Sequence, residues 1–241
     1  TSNTEVLSPF VIPEFQNRYG TGNLYASEGQ TLMSWGRRLS PANHTGYSPR
    51  TDYFQTGITG TETVSLSTGT DRNQTYLSAS AVNSRGIVPN NGYERYNFTA
   101  RNTTSLLKDR MTLDIGASYI MQNDRNMVNQ GTYANPLVSA YLFPRGNDWN
   151  RVRMFERYDP ERRIWVQDWD EWIGAGNLTM QNPYWINYRN LRENDRRRYM
   201  LNTNISYRIL DWLSVSGRIR IDNSVNNFTE KFYATSNSTL I

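Results

Sequence analysis

Residues Met111-Thr-Leu-Asp-Ile-Gly-Ala-Ser-Tyr-Ile-Met-Gln122 decide how the chain is read. Met111, Leu113, Ile115, Ala117, Tyr119 and Met121 fall on one side of an extended backbone, and Thr112, Asp114, Gly116 and Ser118 on the other. Period two is the signature of a strand, whose successive side chains point to opposite faces. The preceding stretch repeats it, with Tyr96, Phe98 and Ala100 against Asn97, Thr99, Arg101, Thr103 and Ser105, and Lys108-Asp109-Arg110 turns the chain between the two. Alternation over about a dozen residues exceeds the usual soluble strand of about 5 to 6 and suits a tilted bilayer-spanning strand of about 9 to 11.

The same pattern recurs on both sides of this hairpin. Val64 and Leu66 alternate with Thr63, Ser65 and Ser67, Gly69-Thr70-Asp71 turns, and Gln74 to Asn83 follows with Leu77, Ala79 and Ala81 on the outer face, although Tyr76 breaks the alternation. Later, Tyr199 to Ile209 turns tightly at Asp211 and returns as Leu213 to Ile221, with Ser214, Ser216, Arg218, Arg220 and Asp222 on its polar side. Connections are short at Gly69, Lys108 and Asp211, and longer after Asn83, Gln122 and Asp222. Short periplasmic turns opposite long extracellular loops are how transmembrane barrels are built. The expected fold is therefore all-β, a portion of an antiparallel transmembrane β-barrel, with residues 1–50 as an irregular segment entering it and residues 51–241 as its first strands and loops.

Composition agrees with that expectation. Hydrophobic residues make up 37% and mean hydropathy is -0.73, poor for a packed core of 241 residues, yet aromatics reach 13% with Tyr 16 and Trp 7. A barrel needs apolar residues only at alternate strand positions and gathers Tyr and Trp at the membrane interfaces. No apolar run approaches the roughly 18 residues of a membrane helix. Cysteine is absent, which removes disulfides and thiolate chemistry, and the single histidine, His44, has no neighbours for a zinc site or a triad. The net charge of +4 comes from arginines interspersed with acids, as in Arg189 to Arg198, which argues against nucleic-acid binding. Arg101, Arg208, Arg218 and Arg220 sit on polar strand faces, and in a barrel they point into the lumen, solvated or paired with acids of a plug. Asn73, Asn97 and Asn204 begin Asn-X-Ser/Thr triplets, but the last two lie within expected strands, so glycosylation is discounted.

A set of short segments resembles the SusC/RagA family of TonB-dependent outer-membrane transporters. They are Pro13-Glu-Phe-Gln-Asn-Arg-Tyr-Gly20, Ser34-Trp-Gly36, Tyr53-Phe-Gln-Thr-Gly57, Gly86-Ile-Val-Pro-Asn90, Tyr133-Ala-Asn-Pro-Leu137, Tyr158-Asp-Pro160 and Asn182-Pro-Tyr-Trp185, in order over most of the chain. The resemblance implies a large plugged barrel in the outer membrane of a Gram-negative bacterium. It implies import of oligosaccharide or peptide with a SusD-like surface lipoprotein, driven by TonB through the plug. This chain would be the first part of the barrel wall, with leader and plug before Thr1 and further strands after Ile241. Neither catalysis nor a cofactor is expected.

The stretch after Gln122 carries five tryptophans, Trp149, Trp165, Trp169, Trp172 and Trp185, beside Tyr158, Tyr184 and Tyr188. Flat rings stack on sugars or peptide groups, and Trp165, Trp169, Trp172, Tyr184 and Trp185 are the candidate cargo-binding residues, with Asp168, Asp170, Glu171 and Arg189 as hydrogen-bonding neighbours. Packing inside a folded loop, or at the membrane interface, accounts for the same rings. Two other classes use the same residues: a soluble β-sandwich that binds carbohydrate on an exposed aromatic face, and a glycosidase with carboxylates from the acidic cluster.

Overall fold

The structure is a computed structural model of the chain and describes residues 18–20, 35–42, 47–131, 134–143, 148–169 and 180–236. It divides into two compact units. Residues 55–128 and 187–233 form one, and residues 1–54, 129–186 and 234–241 form the other. Most of the stretch 1–50, expected to be irregular, lies outside the described residues.

The first unit is a six-stranded antiparallel sheet: β1 (Ile58–Thr70), β2 (Asn73–Arg85), β3 (Gly92–Leu106), β4 (Met111–Arg125), β7 (Asn190–Leu210) and β8 (Leu213–Phe232), neighbours in that order. All six strands read from the alternation are present in one meander. Residues directly opposite across an antiparallel ladder share a face. The register therefore builds rungs across the sheet. One rung runs Val64, Ala79, Phe98, Tyr119, Tyr199; the next runs Leu66, Leu77, Ala100, Ala117, Leu201, Ile221. Ile115 and Ile219 both meet Thr203 on this face, and Leu113 meets Ile205. On the opposite face the rungs carry Ser65, Ser78, Thr99, Ser118 and Asp222, and Ser67, Arg101, Gly116, Asn202 and Arg220. Tyr76, whose side was ambiguous in the sequence, stands in this second polar rung beside Arg101. Val82, Ile120, Met200, Phe228 and Phe232 are apolar exceptions on that face.

Three short turns close one end of the sheet. At Asp71-Arg72 the Thr70 hydroxyl accepts from Asn73 N at 3.2 Å. A Cβ at Gly69 would run into the Asn73 carbonyl, so this turn needs glycine there. Leu107, Lys108 and Asp109 all have positive φ, and the Ser105 hydroxyl tethers the Asp109 carboxylate at 2.9 Å. Asp211-Trp212 joins β7 to β8 with a register shift between Arg208 and Leu210.

At the other end, asparagines stitch the strand ends. Asn126 N donates to the Arg192 carbonyl at 2.7 Å, Arg192 N donates back to Asn126 Oδ1 at 2.8 Å, and Asn126 Nδ2 reaches the Asn90 carbonyl at 3.1 Å. Gln55 N donates to the Ile87 carbonyl at 2.9 Å and its side-chain amide to the Gly86 carbonyl at 2.9 Å, so two of the family-like segments dock on each other.

The strands outrun their hydrophobic pattern. β7 begins at Asn190, nine residues before the expected start at Tyr199, β8 continues to Phe232 rather than ending near Asp222, and β4 runs to Arg125. The stretch Asn123 to Arg198, expected to be without regular structure throughout, is thus bounded by strand. These extensions are mostly polar, with Asn123 opposite Asp195 and Asp195 opposite Asn227, and their apolar residues Leu191, Val225, Phe228 and Phe232 are split between the two faces, so no alternation marks them. Backbone hydrogen bonds to a neighbour already in register carry the ladder onward. Ion pairs add to it, as Arg192 Nε to Glu230 Oε1 at 2.8 Å.

The second unit holds α1 (Pro49–Asp52), α2 (Pro136–Leu142), α3 (Trp149–Arg153), the hairpin β5 (Glu156–Asp159) with β6 (Ile164–Gln167), and the start of α4 (Pro183–Arg189). Its helices are short, and side chains start α2, α3 and α4. Asn135 Oδ1 accepts from Leu137 N at 3.0 Å, Asp148 Oδ1 from Asn150 N at 2.9 Å, and Asn182 Oδ1 from Tyr184 N at 2.9 Å, each satisfying an amide with no intrahelical partner.

Candidate functional site

The aromatic residues of the second unit separate into an enclosed set and an exposed set. The enclosed set is built around Trp149. Tyr47 stacks on it at 4.2 Å between ring centres, Phe143 meets it edge-on at 4.9 Å, and Tyr53 meets it edge-on at 6.0 Å. Polar atoms in this cluster are paired, as burial requires. Trp149 Nε1 donates to the Tyr184 hydroxyl at 3.2 Å, Tyr184 donates to the Asp52 carbonyl at 3.3 Å, and Tyr47 donates to the Ala140 carbonyl at 2.8 Å.

Trp185 is wholly enclosed, at 0% exposure, and its Nε1 donates to Ser236 Oγ at 3.1 Å. Its neighbour Asn182, equally enclosed, donates to the Val152 carbonyl at 2.8 Å and the Asp168 carbonyl at 3.2 Å. Among the five candidate cargo residues, then, Trp185 has no ring face open to a ligand in this conformation. Tyr184 is half-buried against Tyr53 and Phe155, with its hydroxyl committed.

Trp165 is different. On the β5–β6 hairpin it lies directly opposite Tyr158, the rings 5.6 Å apart and edge-on, and they are 54% and 49% exposed. The alternation explains why: Val166, one residue on, turns to the other side and is buried. Asp159 fixes the turn by accepting from Glu161 N at 3.0 Å and Arg162 N at 3.1 Å. Glu156 and Gln167 share the Trp165 side of the hairpin, where Gln167 Oε1 accepts from Asn182 N at 2.8 Å. Trp169 is half-buried, with Nε1 enclosed and no acceptor among the described residues.

Trp172, Asp170 and Glu171 lie outside the described residues. Asp168 is exposed and 3.9 Å from Arg157, an ion pair at the hairpin surface. No group of three or more metal-ligating side chains occurs among the described residues. A residue that sequence reasoning did not assign to the site is the paired ring Tyr158, as Trp165's partner. The signal for Tyr158 was its placement, with Trp165, at equal distances from the four-residue 160–163 turn, visible only once a hairpin is considered.

The polar face of the sheet holds a second concentration of functional groups. Arg101 grips Asp114 with both prongs, Nε to Oδ1 at 2.9 Å and Nη2 to Oδ2 at 2.7 Å, and Arg198 grips Asp222 likewise at 2.8 and 2.5 Å. Each pair links adjacent strands diagonally.

No known protein-family model matches the chain, and no curated protein matches it in sequence.

Proposed function

We propose that this chain is barrel wall of a TonB-dependent outer-membrane transporter of the SusC/RagA kind, importing oligosaccharide or peptide together with a SusD-like surface lipoprotein. The observation that carries the reading is the apolar face of the six-stranded sheet, which stays open. Val64, Ile115, Leu201 and Ile219 are 74, 46, 44 and 67% exposed. A soluble sheet buries such a face under a second layer; hydrocarbon chains are the other medium that accepts it.

Detail along the strands supports lipid. Phe98, Tyr119 and Tyr199 form one rung on three adjacent strands, and Tyr207 lies eight residues further along β7. At about 3.3 Å per residue that is roughly 26 Å, or roughly 20 Å across a membrane for a strand tilted about 40°, near the apolar band of such barrels with an aromatic girdle at each edge. One group of polar residues on this face bonds internally. Asn102 Nδ2 donates to Thr75 Oγ1 at 2.8 Å, and Thr104 Oγ1 donates to Asn102 Oδ1 at 2.6 Å. Groups placed in a low-dielectric medium need that. β1 and β8 form the sheet's two outer edges, and further strands of a closed barrel would pair with them.

In this reading the turns at Asp71, Leu107–Arg110 and Asp211 face the periplasm, and the β2–β3 and β4–β7 connections face outward. Trp165 and Tyr158 are the exposed rings that meet cargo, with Trp169 and Trp172 beside them in sequence. The deciding experiment uses the full-length protein. It should require detergent, migrate as a heat-modifiable β-barrel, and lose cargo affinity when Trp165, Trp169 and Trp172 are replaced together by Ala. A detergent-independent, soluble protein would instead favour the carbohydrate-binding β-sandwich. Unchanged affinity in the assembled triple variant would remove those rings from cargo capture.

A further inference from the structure

On the polar face of the sheet, four neighbouring side chains are left uncommitted in the middle of a committed network. Asn202 faces Arg220 across the β7–β8 ladder, and Asn204 faces Arg218. Among the described residues, none of the four has a side-chain hydrogen bond or ion pair, while the adjacent Arg101, Asp114, Arg198 and Asp222 are all engaged. A carboxylate already held in two prongs, with Thr103 also donating to Asp114 at 3.2 Å, has little left to offer Arg218. These groups border a concavity of about 390 Å³ in the same face, within the size range of small-ligand sites. Gly116 lies at its floor, and a Cβ there would collide with the Asn202 amide, so the glycine makes room for that side chain.

We propose that Arg218, Arg220, Asn202 and Asn204 form a binding site for a sugar acid, a hydroxyl-rich ligand carrying carboxylate. Charge selects the acid. The two arginines are two residues apart on one strand face, about 6.6 Å along the backbone, and each feels only a carboxylate that another arginine already holds, Arg218 that of Asp114 and Arg220 that of Asp222, so both guanidinium forks keep their hydrogen-bond donors. The neighbouring pairs demonstrate the geometry that this face offers to a carboxylate. Hydroxyls select the sugar, because each side-chain amide offers both a donor and an acceptor, as a sugar hydroxyl does. An acidic peptide would also satisfy the arginines and could meet the amides only through its backbone N–H and C=O groups, whereas a sugar acid carries hydroxyls on every ring next to its carboxylate, and triglutamate separates the two in the test. The assignment rests on the transporter reading in one respect, that the ligand is cargo passing along the inner wall.

The test uses full-length protein in detergent, with trigalacturonate, its neutral methyl ester, sodium sulfate and triglutamate as probes in calorimetric titrations. Trigalacturonate should bind at least about tenfold more tightly than the ester, sulfate or triglutamate. Arg218→Gln with Arg220→Gln should reduce trigalacturonate to the ester's affinity, whereas Arg50→Gln with Arg162→Gln, an equal loss of charge in the other unit, should not. Equal binding of acid and ester overturns the site, and so does wild-type affinity in the assembled glutamine pair. Tighter binding of triglutamate or sulfate overturns the sugar acid. A lowered melting temperature in the glutamine pair with unchanged ligand binding overturns it in favour of a carboxylate from elsewhere in the same protein. If the glutamine pair fails to assemble, Arg218→Lys with Arg220→Lys decides, since lysine keeps the charge and loses the fork. Affinity several-fold lower supports the site, and undiminished affinity overturns it. Failure of the unaltered protein to form a heat-modifiable barrel would count against the transporter reading, whereas sugar-acid binding is read separately on the same sample.

Discussion

Arg101 on β3 and Asp114 on β4 meet as a two-pronged ion pair across a diagonal of the ladder, with bonds of 2.9 and 2.7 Å, while Arg101 remains 60% exposed and Asp114 only 16%. The carboxylate is shielded by its partners, and the guanidinium faces open space. Such a pair fixes the register of two strands more than it adds stability, because solvent screens the exposed half. A double-mutant cycle over Arg101→Ala and Asp114→Asn should give a coupling of about 0.5 to 1 kcal/mol in refolding titrations. A coupling indistinguishable from zero would mean that the pair contributes no net energy.

The two faces of the sheet should respond oppositely to charge. Ile115→Arg or Ile219→Arg, halfway between Tyr199 and Tyr207 in register, should cost about 2 to 4 kcal/mol in detergent refolding if lipid covers that face. Arg218→Ala on the other face should cost less. The reverse order would place the lipid on the polar side, since a slip of one residue exchanges faces.

Enclosure predicts how two tryptophans of one loop differ. Trp185→Ala should destabilise the helical unit by about 3 to 5 kcal/mol, seen as faster limited proteolysis, because it empties a fully buried site. Trp165→Ala removes one edge-on contact with Tyr158 and should cost about 1 kcal/mol or less. Equal sensitivity of the two variants would contradict the division into enclosed and exposed rings.

Asp109, in the β3–β4 turn, has its carboxyl pKa held below the ordinary value, chiefly by the Ser105 hydroxyl and also by Arg72, whose Nε is 3.2 Å away. A depressed pKa means the folded state prefers the carboxylate. Its stabilisation is therefore complete above the unfolded value of about 3.9 and fades as pH falls through the lower native value. The melting-temperature difference between wild type and Asp109→Asn should be constant above about pH 5 and shrink below about pH 4. A difference that grew on acidification would reverse the sign argued here.

Accessibility on intact cells should distinguish the two ends of the strands. A cysteine at Glu161, exposed in the β5–β6 turn, should react with an impermeant maleimide, and one at Asp71 should not. Labelling at Asp71 alone would invert the orientation.

Alternation by itself determined that the chain makes antiparallel strands, which residues share a face, and where the three tight turns fall, because side-chain direction in a strand follows from parity alone. Met111 to Met121 and Tyr199 to Ile209 were legible for that reason. The extensions of β7 and β8 were not, since their few apolar residues, Leu191, Val225, Phe228 and Phe232, are split between the two faces and the ladder from a neighbouring strand holds them extended. The tryptophans show the same divide. Sequence placed Trp165 and Trp185 in one aromatic stretch with one prospective role, and nothing in their local composition separates them. Only the tertiary structure decided that Trp185 closes a core with Asn182 and Ser236 while Trp165 stands open beside Tyr158. Burial is a property of contacts between residues far apart in the chain, and local pattern carries no record of it.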